Sequence, residues 1–203
     1  MESSFPLVFA AVVGFGHAFE ADHLIAVSSI VTKRNNLSLA LKDGIYWGLG
    51  HSSTIFFIGL WMIVGKATLL NGYFGYFEAI VGLMLILLGF FRLYQYFNHK
   101  DNPSQFIDTK RSHNLAYGVG LVHGLAGSGA MILLVMTEIQ SSFSSMMYLL
   151  IFGMGSVAGM LVAAGVLSLP FSKKISNNQS LQFGLVMLSS LLCIGYGVYL
   201  LIQ

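Results

Sequence analysis

Polar residues interrupt this chain rarely, and where they occur they gather in short clusters. Between the clusters lie six apolar stretches, at about 5–31, 44–65, 73–97, 114–137, 146–170 and 180–202. Each is long enough to cross a hydrocarbon core, which takes roughly 20 helical residues. Backbone polar groups inside a bilayer must be satisfied within the segment, so uninterrupted stretches of this length predict helices. The pattern therefore predicts an all-α membrane protein of six transmembrane helices. The connections are short and polar (TKRNN, KATLLNG, SKKISNNQS), apart from one longer loop, NHKDNPSQFIDTKRSHN.

The two halves of the pattern resemble each other. GFGHAFEADHLIAV, starting at Gly14, lies over GLVHGLAGSGAMIL, starting at Gly120, so that His17 matches His123. One span later, GLGHSST from Gly48 lies over GMGSVAG from Gly153. Three spans per half force the second copy to enter the membrane in the opposite sense. The expectation is two inverted three-helix repeats, residues 1–97 and 114–203, joined by a cytoplasmic loop at 98–113. Transporters built this way hold their substrate near the midplane between the repeats. Glycine pairs such as Gly44 with Gly48 and Gly155 with Gly159 have the small-xxx-small spacing that lets membrane helices approach closely.

Composition strengthens the membrane reading. Of 203 residues, 56% are hydrophobic and 9% charged, against roughly 25% charged in an ordinary soluble domain. The mean hydropathy is +0.76, so lipid must cover much of the surface. The formal charge of +2 is too small to argue for nucleic acid. Cys193 stands by itself in an apolar run, which leaves no disulfide framework and no CxxC site. Nine Lys and Arg residues (Lys33, Arg34, Lys42, Arg92, Lys100, Lys110, Arg111, Lys173 and Lys174) flank the connections after spans one, three and five, while the other side holds Lys66. By the positive-inside rule those connections face the cytoplasm and both termini of this multi-pass chain lie outside the cell membrane. MESSF has no basic residue, so it does not read as a cleavable signal.

The chemistry is concentrated in HAFEADH, within the first span. A charged residue at a helix centre costs roughly 2.5–3.5 kcal/mol on insertion scales, and here His17, Glu20, Asp22 and His23 share one span. On a regular helix His17, Glu20 and His23 fall in one stripe, while Asp22 points elsewhere, unless the helix breaks after Gly14 and Gly16. His51 in GLGHSST and His123 in GLVHGLAGSGA add imidazoles from spans two and four. Counted from the expected cytoplasmic ends, His23, His51 and His123 lie roughly 10–14 Å deep and His17 about 21 Å. These depths permit one site at which spans one, two and four converge. Imidazole with carboxylate suits nickel, cobalt, zinc or ferrous iron, so His17, Glu20, Asp22, His23, His51 and His123 are the candidate metal ligands. Singly, His51 or His123 would serve equally well to hydrogen-bond a neighbouring helix. His99 and His113 fall in the polar loop and read as solvated. Glu78 and Glu138 lie near the outward span ends, and the ten Met residues read as apolar packing.

HAFEADH fits the H-x4-D-H signature of the nickel/cobalt permeases, and GHSST resembles the second histidine motif of that family. The resemblance implies that His17, Asp22, His23 and His51 select and carry the metal, with nickel or cobalt as transported substrate and no cofactor. In the second half VHGLAGSGA stands where the family has an Asp- and Thr-containing motif, and this segment is more similar to the compact six-span UreH-type relatives. IVGKATLL lacks the phosphate-loop spacing, so transport is expected to be secondary or driven by a separate partner, which the sequence does not identify. Two other readings compete: an intramembrane hydrolase with Ser128 as nucleophile, and a bis-histidine haem protein. Neither accounts for HAFEADH as a whole, and the chain reads as a transporter and not an enzyme.

Overall fold

The computed structural model describes residues 5–31, 36–65, 74–98, 109–125, 141–169 and 179–202. These fold into seven α-helices, with no strand among the described residues: α1 Phe5–His17, α2 Ala21–Val31, α3 Leu37–Gly65, α4 Phe74–Asn98, α5 Thr109–His123, α6 Ser142–Ser168 and α7 Gln179–Ile202. Two starts have clear local causes. Asn36 Oδ1 accepts from the Ser38 N–H at 2.9 Å at the head of α3. Ser141 has extended backbone and its side chain accepts from the Ser144 N–H, capping α6.

Three helices, Gly75–Asn98, Ser142–Ser168 and Ser180–Ile202, are each long and apolar enough to cross a membrane, and Leu7–His17 with Ala21–Val31 makes a fourth when the bent pair is one span. The chain is thus a helical membrane protein. α3, at 29 residues, has the length of a span. Only the first part of the fourth expected span is described; its remainder, with Ser128 and Glu138, lies outside the described residues. So do His99 and most of the Lys and Arg residues behind the orientation argument.

The first span departs from a regular helix. α1 ends at His17, α2 begins at Ala21, and the two axes bend by 57°. Tight hydrogen bonds make the corner: the Phe19 N–H donates to Gly16 O at 2.9 Å and the Glu20 N–H to His17 O at 3.1 Å. Glu20 O then accepts from Leu24 N–H at 3.0 Å, starting α2. The break changes where Asp22 points, with the consequence described below.

Glycines hold the bundle together, because a missing Cβ lets one backbone press on the next. Gly44 and Gly48 of α3 face Met160, Ala164 and Val157 of α6, while Gly155 and Gly159 of α6 face Ala11, Phe15 and Ala18 of α1 and its corner. The α1–α6 and α3–α5 interfaces are built alike. Gly155 lies against Ala11 O and Phe15 N, and Gly50 lies against Tyr117 O and Leu121 N. Gly14 lies against Phe152 O, and Gly120 against Trp47 O. Each of these pairs is related by the register that places Gly14 on Gly120 and Gly48 on Gly153. Between α4 and α7 the packing is reciprocal, with Gly82 and Gly197 each facing the other's carbonyl.

Candidate metal centre

Four imidazoles meet where α1, α2, α3 and α5 converge. His17 closes α1, His23 sits in the first turn of α2, His51 is in the middle of α3, and His123 ends α5. His23 is central: its ring centroid lies 4.5 Å from His17, 4.9 Å from His51 and 4.3 Å from His123. His23, His51 and His123 are fully buried and His17 nearly so. Trp47 and Phe152 wall the cluster, Trp47 against His23 and His123 and Phe152 against His17.

Carboxylates fix which nitrogens face inward. His17 Nδ1 donates to Glu20 Oε1 at 2.8 Å, and His23 Nδ1 donates to Asp22 Oδ1 at 3.0 Å. His123 Nε2 donates to Asp22 Oδ2 at 2.8 Å. A ring nitrogen that donates carries the proton, which leaves the lone pair on the other one. Those others, His17 Nε2, His23 Nε2 and His123 Nδ1, are buried with no hydrogen-bond partner, as are both nitrogens of His51. Buried polar atoms are normally paired, so five unpaired imidazole nitrogens in one cluster call for a ligand. Ligand atoms of His17, His23 and His51 lie within 4.8 Å of one another, as do those of Asp22, His23 and His123. An ion there would sit about 2.0–2.1 Å from each nitrogen that holds it.

The structure thus brings together His17, Asp22, His23, His51 and His123. Asp22 follows the broken-helix alternative and not the regular helix: the chain turns at residues 18–20, and the carboxylate meets His23 and His123. At the N-terminus of α2 its charge also meets the positive end of the helix dipole. Glu20 stands at the rim, its side chain 56% exposed while it holds His17. Glu78 is half-buried on α4. His113 is a correction. It lies in α5 and not in a solvated loop, and its Nδ1 donates to the fully buried Asp43 at 2.6 Å. Sequence reasoning missed Asp43, Trp47 and Phe152. Of these, Asp43 had a signal, since it lies on the same face of α3 as His51, two turns away.

No family model matches the chain, and no solved structure matches it. One curated relative does: the urease accessory protein UreH of Bacillus sp. (strain TB-90) is 31% identical over 176 residues, covering 82% of this chain and 77% of the relative. The chain belongs to the UreH family. That membership agrees with the resemblance drawn from the sequence, and the clustered imidazoles lie in the segments HAFEADH, GHSST and VHGLAGSGA that carried it.

Proposed function

We propose that this chain carries a transition-metal dication, nickel or cobalt, across the cytoplasmic membrane as a transporter and not as an enzyme. The observation that carries the reading is the set of unpaired imidazole nitrogens at a helix break inside a bundle of apolar helices. Neutral imidazole suits these ions. Asp22 and Glu20 orient the rings from behind, as carboxylates commonly do for histidine ligands. His17, His23 and His51 offer buried unpaired nitrogens to the ion, with His123 beside them. A broken helix at the site is a recurrent device of secondary transporters. The name of the UreH relative, a urease accessory protein, fits nickel as the cargo.

On this reading the chain has six spans in two inverted repeats, supported by the paired glycine packing of α1–α6 and α3–α5, which a two-fold axis in the membrane plane would generate. The termini lie outside on the strength of the basic connections. Imidazoles packed ring against ring favour an ion over a haem macrocycle, and a hydrolase built on Ser128 leaves the cluster without work.

The deciding experiment is flux of Ni2+, Co2+ and Zn2+ in proteoliposomes holding this chain alone, under imposed pH gradients. Uptake or efflux of Ni2+ or Co2+ that is lost in His23→Ala at equal abundance is expected. Flux by His23→Ala equal to wild type would overturn the reading.

A further inference from the structure

A second carboxylate–imidazole pair lies along the helix that carries His51. α3 presents Asp43, Trp47 and His51 at successive intervals of four residues, so the three share one face, and all three are fully buried. α5 runs beside that face with His113 near one end and His123 at the other. At one end of the stripe is the midplane cluster. At the other, His113 Nδ1 donates to Asp43 Oδ1 at 2.6 Å, and Tyr46 stacks on the His113 ring at 5.1 Å and 10°.

Eight helical residues separate Asp43 from His51, a rise of about 12 Å. Trp47 fills the interval, its ring against His23 and His123 and its Nε1 buried with no hydrogen-bond partner. The pair therefore lies toward the Lys42 end of α3. His113 retains 14% side-chain exposure whereas Asp43 has none, so the pair is reachable from one side and closed on the other.

Gly50, Gly120 and Gly124 already bring α3 and α5 into backbone contact, and a carboxylate buried at that interface is costly to desolvate. The pair's donor set, one imidazole and one carboxylate, repeats the chemistry of the midplane.

Resting on the transport reading above, we propose that Asp43 and His113 form a second cation station, which receives the transition dication as it passes Trp47 between the midplane cluster and the Lys42 end of the bundle. An ion there takes the place of the shared proton: His113 shifts to its Nε2–H tautomer, Nδ1 and the Asp43 carboxylate face the ion, and water entering beside His113 completes the shell. Two ligands hold it more weakly than the midplane set, as a point of release requires.

Co2+ titrated into the purified chain in nanodiscs tests this. Wild type is expected to bind two ions per chain, the second at least tenfold more weakly. Asp43→Asn and His113→Gln, both near-isosteric, should each remove the weak ion and keep the tight one, whereas His51→Leu should remove the tight one. A wild-type count of one overturns the proposal with no variant needed. So does a count of two in Asp43→Asn with only its melting temperature lowered, the mark of a helix tie. If His51→Leu keeps both ions, the midplane reading itself fails. If it loses one while Asp43→Asn loses none, only the second station fails.

Discussion

Asp22 and His123 stand 101 positions apart in the chain, and Asp22 Oδ2 accepts a hydrogen bond from His123 Nε2 at 2.8 Å. The other oxygen of the same carboxylate holds His23. One side chain therefore sets the tautomers of two imidazoles on two different helices. Asp22→Asn keeps the shape but replaces one acceptor with an NH2, which cannot accept from a ring N–H. One imidazole must then turn or change tautomer. Loss of such a supporting carboxylate typically costs 10–100-fold in metal affinity. Titration of Asp22→Asn with Co2+ should show a loss of that size with the chain still folded, and unchanged affinity would remove Asp22 from the site.

His51 makes the opposite prediction for stability. Both its ring nitrogens are buried without a partner, and an unsatisfied buried polar group costs about 1–3 kcal/mol. His51→Leu removes that penalty at similar volume. The metal-free variant should melt at or above the wild-type temperature while metal binding and flux disappear. A variant that is less stable yet still transports would show His51 to be a packing residue.

The helices were legible because apolar runs in a bilayer leave the backbone few alternatives. The corner at residues 18–20 was legible only as an alternative to a regular helix, and its cause was not. HAFEADH contains no proline, and a Cβ at Gly16 would meet nothing within 4 Å, so neither feature imposes the break. It coincides instead with bonds that periodicity does not encode, Glu20 to His17 and Asp22 to His123. The histidines were legible as a group since imidazoles are scarce in membrane helices, but their inward-facing nitrogens follow from carboxylate contacts seen only in three dimensions. Asp43 escapes sequence reading for a related reason: beside Lys42 and a polar connection it reads as an interfacial charge, and its contact with His113 forms only when α5 packs on α3.

The matched interfaces yield a paired prediction. Gly14 and Gly120 meet the backbones of Phe152 and Trp47 in corresponding positions. Adding one methyl group at either should force the helices apart, with an overpacking cost of about 1–3 kcal/mol. Gly14→Ala and Gly120→Ala are expected to lower the melting temperature similarly, while Gly195→Ala, where a Cβ would meet nothing within 4 Å, should not. Unequal effects, with one of the pair neutral, would argue against a two-fold relation between the halves.

Acid should release the ion, and the sign follows from the ligand chemistry. A metal takes the neutral imidazole, whose lone pair a proton would otherwise occupy, so binding displaces protons wherever the free site holds them. Lowering the pH raises that proton occupancy and must weaken the apparent affinity; raising it restores binding until the site is proton-free, where the dependence flattens. Isothermal titration of Co2+ between about pH 8 and pH 5, in buffers of different ionisation enthalpy, gives both the affinity and the number of protons released. His17→Gln and His123→Gln should each reduce that number without reversing the slope. A flat affinity across the interval, with no proton released, would mean that the imidazoles do not hold the ion.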